Sequence, residues 1–210
     1  MIREGAALAQ GKKVLEVGCG TGLFTEALAK SNAEIIAVDL SPVLVERARE
    51  RCAGLSNVQF LVTDFESAAV SGGFDAVVGS SILQHLELPR AIEKMFLLLR
   101  PGGYLSFAEP NLLNPQVYAE RRFRRFFPSV SPDETAFLRW SIRNVLLRAG
   151  FEDVRIACFD WLHPATPKPL IPLISALGSL AEVIPGVREF SGSLAISAKR
   201  PIEDATGQPD

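Results

Sequence analysis

Cysteine is scarce in this sequence: Cys19, Cys52 and Cys158 make an odd number, widely spaced and without a CxxC pair. That excludes a disulfide framework and a zinc knuckle as the basis of the fold, and it suits a reducing cytoplasm. A surplus of either charge is missing too. Lys and Arg number 22 against 24 Asp and Glu, so the net charge of −2 gives the chain as a whole no electrostatic pull toward nucleic acid. No long apolar run occurs. The longest candidate, near 170–185, is broken by Pro172, Glu182 and Pro185, short of the about 18 uninterrupted apolar residues of a membrane span. The first 13 residues lack the apolar core of a secretory signal. Neither an internal repeat nor a domain linker is visible.

What is present belongs to a folded protein. Hydrophobic residues make up 48% and charged residues 22% of 210, a length at which one domain is the default. Short apolar runs alternate with amphipathic segments over the first 110 residues, the pattern of βαβ units and a parallel sheet. VLEV (14–17), EIIAV (34–38), VQFLV (58–62), FDAVV (74–78) and YLSFA (104–108) read as strands covered on both faces. Helices lie between them: LFTEALAK from Leu23, a segment capped by Ser41 and Pro42, and AIEKMFLLLR (91–100), stopped by Pro101-Gly102-Gly103. Residues 110–131 then read as irregular, with three prolines and the run Arg121-Arg122-Phe123-Arg124-Arg125-Phe126-Phe127. A capping box at Ser131 and Glu134, with Pro132 in the first turn, predicts a helix that Gly150 closes. FEDVRIACF (151–159) and SLAISAK (193–199) read as two more strands, and 169–184 as an apolar helix or broken helix. One domain spans 1–200, with 201–210 a flexible tail.

VLEVGCGTG (14–22) is the most informative stretch. A strand runs into Gly18, Gly20 and Gly22 and a helix follows at once, so the backbone bends freely and a ligand can approach without a Cβ in its way. A dinucleotide fingerprint needs G-x-G-x-x-G/A, and its third position here is Leu23. The glycines are spaced G-x-G-x-G instead. Asp39 ends the second strand, 19 residues after Gly20, where a carboxylate can accept hydrogen bonds from both hydroxyls of a ribose. Asp64 follows the third strand in VTDFE.

The order and spacing of these motifs, with FDAVVGSSILQHLE (74–87), LRPGGYLSFAEPN (99–111) and AGFEDV, cover roughly residues 13–159. They resemble class I S-adenosylmethionine-dependent methyltransferases, of the ubiquinone- and menaquinone-type that act on small molecules. The resemblance implies a doubly wound, mostly parallel seven-stranded sheet with helices on both faces. It also implies S-adenosylmethionine as cofactor and S-adenosylhomocysteine as product. Glu16, Gly18, Cys19, Gly20 and Gly22 would then form the cofactor loop, and Asp39 with Leu40 the ribose end. Asp64 would meet the adenine amino group, the Phe65 amide a ring nitrogen, and Gly79 and Ser80 the methionine end. Asp75 is structural in this scheme. Two departures stand out: only 13 residues precede the first strand, and the asparagine-proline-proline-aromatic motif of amide and base methylation is absent. No acidic cluster suits Mg²⁺ either.

For methyl transfer the enzyme must align the acceptor and exclude water, and it needs a base only if the acceptor loses a proton. His85 and Glu109 are the candidate bases, with Tyr118 behind them; His163 lies in the second insert. The inserts 110–131 and 160–190 are expected to form an acceptor lid. The arginines at 121, 122, 124 and 125 among Phe123, Phe126 and Phe127 would face an anionic acceptor or a lipid surface, or be a solvated helix face. Overall, the sequence predicts methyl transfer to oxygen or carbon of a small or lipid-linked acceptor, with peripheral membrane contact and a cytoplasmic location. An NAD-dependent oxidoreductase, disfavoured by Leu23, and a non-catalytic cofactor-binding scaffold are the alternatives.

Overall fold

A computed structural model of the chain describes residues 5–127, 135–162 and 166–202. Along the chain run β1 (Lys13–Val17), α1 (Leu23–Ala29), β2 (Glu34–Asp39), α2 (Pro42–Arg51), β3 (Val58–Val62) and β4 (Phe74–Ser80). Then come α3 (Leu88–Leu98), β5 (Leu99–Pro110), α4 (Pro115–Arg122), α5 (Arg139–Arg148), β6 (Glu152–Phe159), α6 (Ile171–Val183) and β7 (Ser193–Lys199). The strands form one sheet in the order β3-β2-β1-β4-β5-β7-β6. All neighbours are parallel except β7, which runs antiparallel to both β5 and β6. The expected doubly wound, mostly parallel sheet of seven strands is what the chain forms.

This order places the site. From β1 the chain steps outward to β2 and β3, and from β4 it steps the other way to β5, so the strand order reverses between β1 and β4. The carboxyl ends of two neighbouring strands then part there, leaving a crevice at the sheet edge in which ligands of open α/β sheets bind. Because β7 is reversed, β5 and β6 end side by side: Pro110 and Phe159 both pair with Ser193. The segments after β5 and β6 therefore leave the sheet along the same edge as the crevice.

Strand alternation sends residues to two cores. On one side Val14, Ile35, Ala37, Ala76 and Val78 meet Leu28 of α1 and Val45 of α2. On the other, Leu15, Val17, Val77, Leu105, Phe107 and Ile196 meet Ile92 and Met95 of α3 and Ile142 and Leu146 of α5. Burying a Leu, Ile, Phe or Met side chain contributes roughly 1.5–3 kcal/mol, so these two layers dominate the stability.

Four details differ from expectation. β3 lies at the sheet edge and no helix follows it, so Leu61 and Val62 stay exposed rather than covered on both faces. Helix α3 spans Leu88–Leu98, with Pro89 in its first turn, and ends before Pro101 because β5 begins at Leu99. Residues 115–122, expected to be irregular, are helical: the Asn114 side chain accepts from the Gln116 and Val117 amides and Pro115 fits the first turn. Ser131, Pro132 and Glu134 lie outside the described residues, as do His163 and residues 203–210. The described α5 starts at Arg139 without a side-chain cap. Phe137 cannot be helical because its backbone pairs with the end of β5, accepting from Leu112 and donating to Pro110.

Candidate cofactor and acceptor site

The loop after β1 is pulled tight by one carbonyl. Val38 O accepts from both the Gly18 amide (2.9 Å) and the Cys19 amide (3.0 Å), which folds the loop over the end of β2. Gly18, Gly20 and Gly22 all take positive φ, 72°, 53° and 77°, where side chains are strained. Their surroundings separate them. A Cβ on Gly22 would lie 2.9 Å from the Ala48 backbone of α2, and one on Gly18 would lie 2.5–2.9 Å from Ile82. Around Gly20 nothing lies within 4 Å of such a Cβ. Two of the glycines answer to packing inside the protein, whereas Gly20 faces open space.

Asp39 closes the same loop. Its Oδ2 accepts from the Gly20 amide (2.8 Å) and its Oδ1 from the Ser41 amide (2.9 Å). Each carboxylate oxygen keeps a further lone pair, so a ribose diol can still be met. Leu40 beside it is exposed. Glu16 shares a strand face with Val14 and is 1% exposed, and among the described residues neither of its oxygens meets hydrogen-bond geometry with a partner, the Thr25 hydroxyl being a polar neighbour. Burial pushes its pKa up to about 7; the Thr25 hydroxyl opposes this and the Asp39 charge adds to it. A buried carboxylate without partners is costly, and one near a second carboxylate forms a site that favours a cation. Cys19 is buried, and burial, then Glu16 and Asp39, push its thiol up to about 12, which favours the protonated form.

The remaining expected residues line the same edge. Asp64 turns the chain after β3, accepting from the Glu66 amide (2.9 Å) and the Ser67 hydroxyl (2.8 Å). Phe65 is buried, so only its backbone can face a ligand. Gly79 leaves no room for a side chain, since a Cβ would lie 2.6 Å from Phe107 and 2.8 Å from Val17 O. Ser80 is exposed, and Ser81 after it turns the chain at φ 54°. His85 is exposed in the short 3₁₀ turn Leu83–His85, its Nε2 3.4 Å from Gln84 Nε2. Glu109 is 1% exposed at the end of β5, and its Oε1 accepts from the Ile82 and Leu83 amides, each at 3.0 Å. Burial lifts its pKa to about 7 against the pull of those amides. Asp75 is at the opposite edge, holding the Lys13 amide and pairing with Lys12 and Arg100.

Sequence reasoning missed several residues. Ile82 carries no motif, yet it wedges between the glycine loop and β4. Asn111, 1% exposed, donates to the Glu189 and Ser191 carbonyls at 2.8 Å each and so ties the two inserts together. Arg139, the first residue of α5, forms an ion pair with Glu189 and so ties the second insert to that helix. The Asn114-Pro115 pair was a readable helix start.

The basic run does not form one surface. Arg121 is 13% exposed, donating to Thr135 O and Gln84 Oε1 and paired with Glu120. Arg122 and Arg125 lie over the rings of Phe123 and Phe126, both exposed. Helix α6 buries only Gly178, against Trp161, and leaves Leu173, Leu177, Leu180 and Val183 exposed. Among the described residues no helix is long and apolar enough to cross a membrane.

Residues 14–103 match the family described as methyltransferase domain. A ubiquinone biosynthesis O-methyltransferase of Xanthomonas campestris is 41% identical over 105 residues, 48% of this chain and 44% of that protein. One from Acinetobacter baumannii is 32% identical over 122 residues, 56% and 51% of the two. The chain spans about half the length of the curated relatives it matches. Among solved structures, the N-methyltransferase NodS of Bradyrhizobium japonicum with S-adenosyl-L-homocysteine has TM-score 0.65 at 21% identity, over 95% of this chain and 83% of that one. The [4+2]-cyclase SpnF has TM-score 0.67 at 22% identity, over 96% and 78%. The fold is that of the class I methyltransferases.

Proposed function

We propose that this chain, with a class I methyltransferase fold and a methyltransferase-domain match over residues 14–103, transfers methyl groups from S-adenosylmethionine to oxygen or carbon of a small, apolar acceptor. The observation that carries the reading is Glu16: a buried carboxylate without a hydrogen-bond partner among the described residues, next to Asp39, behind a loop whose central glycine is open. An anionic recess of this kind fits a cofactor that carries positive charge at its sulfur and amino group. When bound, that cofactor supplies a methyl group already activated by the sulfonium.

The chain's own residues would do the rest. Gly20 leaves room for the ligand, Asp39 offers its spare lone pairs to a ribose diol, and the Glu16 charge offsets the ligand's. Asp64 and the Phe65 backbone stand at the adenine end, and Gly79 and Ser80 at the methionine end. His85 would be the base that takes a proton from a hydroxyl acceptor. The inserts after β5 and β6 share the crevice edge, where they would orient the acceptor and exclude water. Their exposed leucines and phenylalanines, with Arg122 and Arg125, support a lipid-like acceptor and contact with a membrane surface. Oxygen as the attacked atom is supported by the O-methyltransferase relatives, and a cytoplasmic setting by the three free cysteines.

Calorimetry tests the reading. S-adenosylmethionine and S-adenosylhomocysteine are expected to bind with micromolar-scale affinity, and NADH to leave the protein silent. Asp39→Ala removes an acceptor for two hydroxyls, and hydrogen bonds to a charged partner are worth roughly 1.5–3 kcal/mol each, so affinity should fall at least about tenfold. Absence of heat with both sulfur ligands at sub-millimolar concentration would reject the assignment.

A further inference from the structure

Glu109 is a buried carboxylate at the crevice edge that the proposed methyl transfer does not need. The chain leaves β4 through Ser81, a non-glycine residue at φ 54°, a region that costs energy unless the surroundings enforce it. Three hydrogen bonds from the end of β5 enforce it here. Ala108 O accepts from the Ser81 amide (2.8 Å), and Glu109 Oε1 accepts from the amides of Ile82 and Leu83 (3.0 Å each). Those two amides open the 3₁₀ turn Leu83–His85, where they have no partner within the turn and where a carboxylate is favoured.

The residue so fixed is Ile82. Its side chain occupies the space in which a Cβ on Gly18 would fall, at 2.5–2.9 Å, and the space in which a Cβ on Gly79 would fall, at 2.8 Å. It therefore stands between the loop after β1 and the end of β4, the two walls of the crevice. On its far side Gln84 accepts from Arg121 of α4 (3.4 Å), which joins the same turn to the first insert.

We propose that Glu109 is a positioning residue: through the Ile82 and Leu83 amides it seats Ile82 against Gly18 and Gly79 and so holds the glycine loop in its ligand-receiving shape. Its role is to set the crevice, and no proton passes through it. At 1% exposure, with one oxygen committed to two amides, it is poorly placed to meet an acceptor. The ligand named in the test rests on the methyltransferase reading; the shape of the loop does not.

Three variants separate the possibilities. Glu109→Gln keeps an oxygen that can accept from both amides, Glu109→Ala removes it, and Ile82→Ala removes the wedge without touching the carboxylate. Amide hydrogen exchange is measured on the unliganded proteins, and S-adenosylhomocysteine binding by calorimetry. In Glu109→Ala and Ile82→Ala, exchange at Gly18–Gly22 should rise at least about tenfold while α5 and β7 keep their protection. Affinity should fall at least about tenfold in both. Glu109→Gln should stay within about threefold of the parent in exchange, affinity and turnover. Unchanged loop exchange in Ile82→Ala, or in a folded Glu109→Ala, overturns the proposal. So does a Glu109→Gln variant that binds normally but has lost turnover, since that is the behaviour of a base. A parent protein that ignores S-adenosylhomocysteine sinks the methyltransferase reading alone, and the exchange comparison still decides this one.

Discussion

Two stretches of the same sheet edge are built in opposite ways. Around β1, β2 and β4 the chain is closed on itself: Val38 O holds two amides of the glycine loop, Asp39 holds two more, and Glu109 a further pair. Gly18, Gly22 and Gly79 there answer to backbone and side chains within 3 Å, and only the space beside Gly20 is open. After β5 and β6 the inserts are held by a few polar ties: Asn111 and Asn114 join the first to the end of the second, and the Arg139–Glu189 pair joins the second to α5. Helix α6 meanwhile leaves its leucines in solvent. The contrast teaches that one part of this edge is fixed by many short hydrogen bonds and close packing, whereas the inserts rest on few; under the proposed function the first would receive the cofactor and the second the acceptor. Rigid scaffolds commonly carry function on less stable segments of this kind.

The largest expected effect compares two glycines. Gly22→Val puts a branched side chain at φ 77° and 2.9 Å from the Ala48 backbone, so a loss above about 3 kcal/mol of stability and loss of cofactor binding are expected. Gly178→Val also meets an atom at 2.9 Å, but it is the Trp161 side chain under an otherwise exposed helix, and the loss should be about 1 kcal/mol or less. Denaturant unfolding of both reads the difference. Equal losses would mean that α6 is as much part of the core as α2.

An intermediate effect comes from pH. Glu16 and Glu109 both have folded-state pKa values near 7, above the ordinary 4.5. The folded protein thus holds these protons more tightly than the unfolded chain does. Their contribution is full below pH 4.5, is lost as pH rises to about 7, and is level above it, by about 3 kcal/mol for each group. Melting temperature should therefore decline between pH 5 and 8, and Glu16→Gln should remove part of that slope. S-adenosylmethionine affinity should move oppositely, strengthening as Glu16 ionises. A slope that survives intact in Glu16→Gln would assign it to other groups.

The smallest stability effect is expected in the inserts. Changing Leu173, Leu177 and Leu180 to Gln, or Arg122 and Arg125 to Gln, should leave stability within about 0.5 kcal/mol per residue, because these side chains meet solvent. What should change is co-sedimentation with anionic lipid vesicles and turnover of an apolar acceptor. Variants that lose stability while keeping both would turn the exposed face into a structural one.

The legible parts were those whose signals are adjacent in sequence. Strands β2, β3 and β7 were placed to within a residue because apolar runs bounded by breakers leave little choice, and the Ser41-Pro42 cap started α2 as read. Helix α4 was missed although Asn114-Pro115 announced it, since the arginine run behind it has no apolar period to see. The start of α5 was misread because the Phe137 backbone is claimed by Pro110 and Leu112, some 25 residues earlier.

By itself the sequence determined the glycine loop, the strand it leaves and the acidic residue ending the next strand. These are local facts, set by backbone freedom at glycine and by short-range hydrophobic pattern. Only the tertiary structure decided which buried acids are satisfied. Among the described residues Glu16 is left without a hydrogen-bond partner, while Glu109 serves amides 26 and 27 residues away. It also decided that Ile82, without any motif, sets the space between two glycines. Those outcomes follow from strand order and register, which bring distant groups into a low-dielectric interior where each unpaired polar atom matters.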